Sequence, residues 1–289
     1  MTLITDLVSA ELDQPVDPRI RIIAAAIAAK HGASSRCVLF YGSCLRQQEI
    51  DDLMLDFYLI VSDYASAYPK RWMATANRLI PPNVFPFALD GLAAKYAVLS
   101  EADFAHLNGP GASTVSVWAR FAQPTRLVWV FDKVARQGCI DSVAKAASTL
   151  MGLARPIATL DDPIDVWKSG FSQTYRAELR AEREDRSASI VDADIDRYCR
   201  FSAALPLVTT LSREAALVRW RQLQRRGKLY SVLRIAKASF TFADGIDYLA
   251  WKINRHAGTA IEIKPWQRKR PLIGALFLLP RLFLKGAVR

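Results

Sequence analysis

Two short stretches carry the residues whose types and spacing could do chemistry. Val38-Leu39-Phe40-Tyr41-Gly42-Ser43 is an apolar run that ends in a glycine and a hydroxyl. Thirteen residues after Ser43, Asp56 interrupts a second apolar run from Leu53 to Val61. This order predicts a strand, a phosphate-binding turn, and a second strand that carries an acid. Gly42 can take backbone angles closed to other residues and lets the chain approach a phosphate closely, while Ser43 adds an N–H and a hydroxyl donor. Such a turn can hold a triphosphate tail. A carboxylate among apolar neighbours costs roughly several kcal/mol unless a donor or cation compensates it. A magnesium ion at Asp56 would do so. The plainer alternative is an ordinary Gly-Ser turn followed by an aspartate facing solvent at a sheet edge.

The surrounding pattern supplies elements to position these residues. Asp17-Pro18, the alanine-rich stretch to Lys30, and His31-Gly32 give a cap, a proline at the first helical position and a glycine stop, so one helix is expected before the first strand. His31 reads as a helix-end residue that suits the dipole. After the second strand, Tyr64 to Leu79 reads as one helix despite Pro69, closed by Pro81-Pro82. Lys95 to Leu99 reads as a third strand, with Ser100 and Asp103 as a capping pair for a short helix. Thr125 to Phe131 is a further strand and Asp132 to Leu153 a helix. From about Asp161 onwards helical patterns dominate. The expected class is therefore α+β: a mixed sheet with flanking helices, then a mainly helical region.

At 289 residues and 51% hydrophobic composition, the chain can bury a full core and build more than one domain. Its 39 Lys and Arg against 28 Asp and Glu leave a net charge of +11. One acid-free run of cations extends from Arg219 to Lys237 and another from Lys264 to Arg289. Such a field favours an anionic partner, although a cationic run is also what a solvated helix face looks like. Cys37, Cys44, Cys139 and Cys199 lack the pairing of a zinc site and the density of a disulfide scaffold, which predicts reduced thiols and a cytoplasmic setting. His31, His106 and His256 have no metal-ligand spacing. No basic segment followed by an apolar one stands at the amino end, so no cleaved signal is expected. Leu272 to Leu284 is nearly all apolar, too short to span a bilayer, and flanked by Lys269-Arg270 and Lys285. Two readings of it stand side by side: a helix packed on the core, or a segment lying in an anionic membrane interface.

The order of motifs resembles the mitochondrial-type phosphatidate cytidylyltransferases, the translocator assembly and maintenance family, which look like polymerase-β-type nucleotidyltransferases. Tyr41-Gly42-Ser43 stands where that family has its Tyr-Gly-Ser turn, and Leu55-Asp56-Phe57 with Val61 and Asp63 resembles its Asp-Phe strand. Lys95-Tyr96-Ala97-Val98 resembles its Lys-Tyr-Gly-Val strand, and Ala119-Arg120 through Pro124 its Gly-Arg and Lys-Pro block. Thr174 to Arg180 resembles its Ser-Tyr, Gly-Asp, Arg block. The resemblance covers roughly residues 38 to 180. One departure is Tyr58, which occupies the position two residues after Asp56 where a second acid is usual. Asp63, Asp52 and Glu178 are the candidates to replace it, with Glu178 favoured as the counterpart of the family's aspartate.

The resemblance implies magnesium-dependent transfer of a cytidylyl group from CTP to phosphatidate, making CDP-diacylglycerol and pyrophosphate. Asp56, Glu178 and Asp63 would serve the metal, Gly42 and Ser43 the β- and γ-phosphates, and Lys95, Arg120 and Arg180 the remaining anionic charge. The implied organisation is a nucleotidyltransferase-like unit over 1–140, a mainly helical unit over 141–260, and a basic amphipathic tail over 261–289. The tail would hold a cytoplasmic protein peripherally on the inner face of a membrane, with an anionic lipid surface rather than nucleic acid as partner. The alternatives are a nucleotidyltransferase with another acceptor, or an inactive protein that binds anionic membrane.

Overall fold

The computed structural model describes residues 3–46, 50–51, 53–160, 162–178, 185–205, 211–241 and 264. Two helices, α1 (Ile4–Leu12) and α2 (Pro18–His31), precede the first strand, where the sequence led us to expect only the second. Asp17 caps α2 by accepting from Arg19 N at 2.8 Å, and Pro18 opens it. Then follow β1 (Ser35–Tyr41) and β2 (Met54–Val61), the expected pair of strands around the Gly-Ser turn.

The expected helix from Tyr64 to Leu79 is instead two, α3 (Tyr64–Ala67) and α4 (Arg71–Leu79). Pro69 lies in the break between them, as its missing N–H and bulky ring require. β3 (Asn83–Leu89) is a strand that the sequence reading missed, and it precedes β4 (Leu92–Ser100). α5 (Glu101–Leu107) starts where Ser100 accepts from Asp103 N at 3.1 Å. Beyond it lie α6 (Trp118–Phe121), β5 (Thr125–Val130) and α7 (Lys133–Ala154), the last capped by Asp132. The remainder is helical: α8 (Pro163–Ala177), α9 (Asp185–Asp192), α10 (Ile195–Ala204) and α11 (Arg213–Thr241).

The strands form one mixed sheet in the order β3-β4-β2-β1-β5. β2 and β4 run parallel, and every other neighbouring pair is antiparallel. The fold is thus α+β with helices on both faces of the sheet. Alternation along β2 divides its side chains: Leu55, Phe57, Leu59 and Val61 join one apolar cluster with α2, while Tyr58 and Ile60 join the other with α7 and α8. α7 runs through the expected boundary at 140/141, and the second cluster draws on residues from both sides of it, from Val8 to Leu223. The segment expected to form a tail, 261–289, lies outside the described residues apart from Lys264. Among the described residues no helix is long and apolar enough to cross a membrane.

Two features tie the helical part down. Arg197 of α10, 2% exposed, donates to both carboxylate oxygens of Glu11 on α1 and to Ala122 O at 3.0 Å. Gly227 of α11 lies so close to the end of α8 that a Cβ there would overlap the Ala177 carbonyl oxygen.

Candidate functional site

Strand register assembles the site. Tyr41 on β1 is opposite Asp56 on β2 and Thr125 on β5, Asp56 is opposite Lys95 on β4, and Lys95 is opposite Pro86 on β3. One row of residues therefore crosses the whole sheet: Thr125, Tyr41, Asp56, Lys95, Pro86. The adjacent row on the same face, two residues along β1, β2 and β4, is Leu39, Tyr58 and Ala97, all in the apolar core. The ionisable pair thus sits at the rim of the core, on top of packed aromatic rings. Tyr58 lies 5.2 Å from Tyr41 and 5.1 Å from Phe121, ring centre to ring centre.

Asp56 and Lys95 form an ion pair, Oδ1 to Nζ 3.1 Å, with side chains 23% and 32% exposed. The same Oδ1 is buried and accepts no hydrogen bond, so the lysine neutralises it without aligning a donor on it. Gly42, at φ 98, follows β1 directly, and a Cβ added to it would stand 3.5 Å from Asp56 Oδ2. The turn and the acid are therefore neighbours, and Ser43, the next residue, is exposed and begins a 3-10 turn. That is the juxtaposition expected of a phosphate turn beside an acid.

A second ion pair lies over the same face. Arg120 of α6 reaches Glu178 Oε1 at 3.2 Å through Nη1, and the same nitrogen donates to Ser116 O. The Glu178 side chain is 8% exposed and directly follows α8. Burial opposes the Arg120 charge, but Glu178 and the hydroxyls of Tyr58 and Tyr41 hold its pKa above the ordinary value. Burial and the Asp56 charge push the Tyr41 phenol well up, so it is a neutral hydroxyl.

Of the residues picked from sequence, Gly42, Ser43, Asp56 and Lys95 come together, with Arg120 and Glu178 on the same side of the sheet. Asp63 does not join them. It lies seven residues further along from Asp56, past the far end of β2, whose five residue steps from Asp56 to Val61 alone span roughly 16 Å. There it caps α3, accepting from Ala65 N at 2.8 Å and Ser66 N at 2.9 Å. Asp52 and Arg180 lie outside the described residues.

The donor set bears on the expected magnesium ion. Among the described residues no group of three or more His, Cys, Asp or Glu side chains is arranged to hold a metal. Glu178 is engaged by Arg120, and Tyr58 fills the usual place of a second acid. Among the described residues a clamp of three carboxylates is thus not formed. The buried Asp56 oxygen without a hydrogen bond fits a different arrangement, in which one carboxylate contacts an ion whose other ligands are phosphate oxygens and waters.

The sequence reading overlooked Arg234. It sits on α11, where its guanidinium interacts electrostatically with Glu178, Tyr58 and Arg120, and burial lowers its pKa. A signal for it existed. Ala216, Trp220, Leu223 and Gly227 recur at helical spacing on the buried side of α11, and Arg234 and Lys237 continue that stripe. The cationic run is therefore not simply a solvated face. Lys237 donates to the carbonyls of Ile80 and Pro82, and Arg219 to Ala112 O at 2.7 Å. His31 also departs from expectation: its ring contacts Ala67 O at 3.0 Å and the Tyr96 hydroxyl at 3.2 Å, and burial lowers its pKa, so it acts as a neutral staple rather than a charge on the dipole. All four cysteines are free.

No family model matches the chain, and no curated protein does. Among solved structures it is similar to a nucleotidyltransferase-like protein from Exiguobacterium sibiricum 255-15, over 92% of each chain, with 10% sequence identity and a TM-score of 0.29. Similarity at that level assigns neither substrate nor activity.

Proposed function

We propose that this chain is a nucleotidyltransferase acting on an anionic acceptor, with CTP as donor, phosphatidate as acceptor, and CDP-diacylglycerol and pyrophosphate as products. The observation that carries the reading is the approach of the Asp56 carboxylate to the Gly42 turn, with Lys95 paired to it from the next strand. A glycine turn next to a paired acid suits a triphosphate, whose charge must be met from the backbone, from cations or from a metal.

In this reading a phosphate oxygen of the acceptor attacks the α-phosphorus of CTP, and the bond from that phosphorus to the bridging oxygen of the β-phosphate breaks. The pyrophosphate leaves with the bond's electrons. The attacking oxygen is already ionised, so no protein base is required. The N–H and hydroxyl of Ser43 hold the terminal phosphates, and Lys95 and Arg120 offset charge on the leaving group and acceptor. Arg180 is proposed to add a further cation. A magnesium ion at Asp56 would supply charge neutralisation and alignment at the attacked phosphate. Residues 261–289 are proposed to bring the protein to the inner face of an anionic membrane, where its water-insoluble acceptor resides.

The test is incubation of the full chain with α-labelled CTP, magnesium and vesicles containing phosphatidate. Labelled CDP-diacylglycerol is the expected product. Label in another product would replace the acceptor. Binding of CTP with no labelled product would favour the inactive, membrane-binding alternative, for which Tyr58 in place of an acid is the supporting observation.

A further inference from the structure

Beside the paired charges lies a cavity of about 150 Å³, walled by α4, α5, the segment after it, and α11. Arg78, His106, Ser113, Thr114, Tyr230 and Arg234 supply its polar lining. Asp103 also faces it, with its Oδ2 accepting the Tyr64 hydroxyl at 2.5 Å. Two guanidinium groups thus oppose one carboxylate. Arg234 is fixed by its Nε, which donates to Pro81 O at 2.8 Å, and by its position 5.7 Å from the Tyr230 ring centre. Among the described residues no carboxylate lies within ion-pair distance of Arg234 or Arg78. A half-buried guanidinium with one edge held by a carbonyl and no paired carboxylate presents its remaining N–H groups to an anion.

The cavity is joined to the site. Thr114 Oγ1 contacts Ser116 Oγ at 3.1 Å, and Ser116 O holds Arg120. The Arg234 charge in turn interacts electrostatically with Glu178, Tyr58 and Arg120. Size limits the occupant, because pockets for whole drug-sized ligands measure about 300–1,000 Å³. A single phosphate group fits this space.

We propose that this cavity binds the phosphomonoester group of the acceptor, with Arg234 as the anchoring cation and Arg78 and the Ser113, Thr114 and Tyr230 hydroxyls completing the donor set. The proposal deepens the transferase reading and rests on it for the word acceptor; binding itself does not. The dianion could belong to a lipid headgroup or to a soluble phosphomonoester, and the two are separable.

The full chain is titrated by calorimetry with glycerol 3-phosphate, and by flotation with vesicles of phosphatidate against vesicles of phosphatidylglycerol at matched surface charge. CTP binding is measured in parallel. Arg234→Gln and Arg78→Gln are expected to weaken phosphomonoester binding by about tenfold or more, the loss of one charge-assisted hydrogen bond, and to leave CTP affinity unchanged. Arg78 is exposed, so its variant reports on binding even if Arg234→Gln disturbs the fold. Arginine-dependent binding of glycerol 3-phosphate identifies a soluble acceptor, and arginine-dependent preference for phosphatidate vesicles alone identifies the lipid headgroup. Unchanged binding in both variants, or no phosphomonoester binding by the wild type in either form, overturns the proposal. Arginine-dependent binding without nucleotide turnover would keep the pocket and remove the transferase reading. Turnover whose acceptor KM is the same in both variants would do the reverse.

Discussion

Asp56 and Lys95 are register partners on parallel neighbouring strands, and their charged ends meet at 3.1 Å over an aromatic floor. Both side chains keep some contact with water, 23% and 32% exposed, so replacing one need not unfold the strand pair. Replacing Asp56 with Asn keeps the shape and removes the charge. Turnover should fall by about 10³-fold or more, while the melting temperature moves by no more than about 3 °C. Label transfer and a thermal melt on the same preparation check both halves, and retained turnover would remove Asp56 from the chemistry.

Gly42 is constrained by its backbone, and a side chain there would touch its neighbour only at ordinary contact distance. At φ 98 an L side chain costs about 1–3 kcal/mol, and a methyl there would meet Asp56 Oδ2 at 3.5 Å. Gly42→Ala is expected to lower stability by that amount and to raise the KM for nucleotide more than it lowers kcat. Urea unfolding and steady-state kinetics provide the two readouts. A variant as stable and as active as the wild type would mean that the turn does not contact substrate.

The Glu11–Arg197 pair predicts a pattern rather than a single loss. Removing one partner leaves a buried charge alone, so Glu11→Gln should destabilise by about 3–5 kcal/mol. Replacing both with Leu and Met should cost much less than the sum of the single changes. A double-mutant cycle in urea measures the coupling, and additive losses would show that the pair is not a unit.

Lys237 predicts a pH dependence. Burial and the neighbouring Arg234 charge bring its pKa from the ordinary 10.5 down to about 7. Between those values the unfolded chain holds more protons at this site than the folded one, so the site's contribution to stability rises as pH increases through about 7 and levels off near 10.5. Below pH 7 the lysine is charged in both states and the penalty is complete. Melting temperatures from pH 6 to 10 should climb more steeply for wild type than for Lys237→Met. Parallel curves for the two proteins would place the lysine in water.

Much of this architecture is legible in the sequence, and the omissions have physical causes. The Asp17-Pro18 start, the Ser100 cap and the Asp132 cap mark their helices because each satisfies an otherwise orphaned N–H. β3 escaped notice because Pro86 lies in the middle of it; an edge strand tolerates the missing N–H, but a sequence does not announce that a strand is at an edge. The Gly42 and Asp56 pairing is readable because Gly42 directly follows one unmistakable apolar strand and Asp56 interrupts another. Arg234 is legible only by extending the stripe of Trp220, Leu223 and Gly227 along α11, because the way that helix turns decides whether the residue faces the core. Asp63 misled for the opposite reason: an acid just past a strand looks like a ligand until the following helix claims it.

The contact of Gly227 with Ala177 joins two distant stretches of the chain at one point. Glu178 is the residue after that alanine, and Arg234 lies seven residues beyond that glycine, two turns further along the same rod. Whatever shifts α11 along or away from α8 therefore displaces the cation at 234 relative to the buried acid at 178. Any side chain at position 227 would prise the two helices apart, and its effect would be felt by the charges over the sheet although it touches none of them.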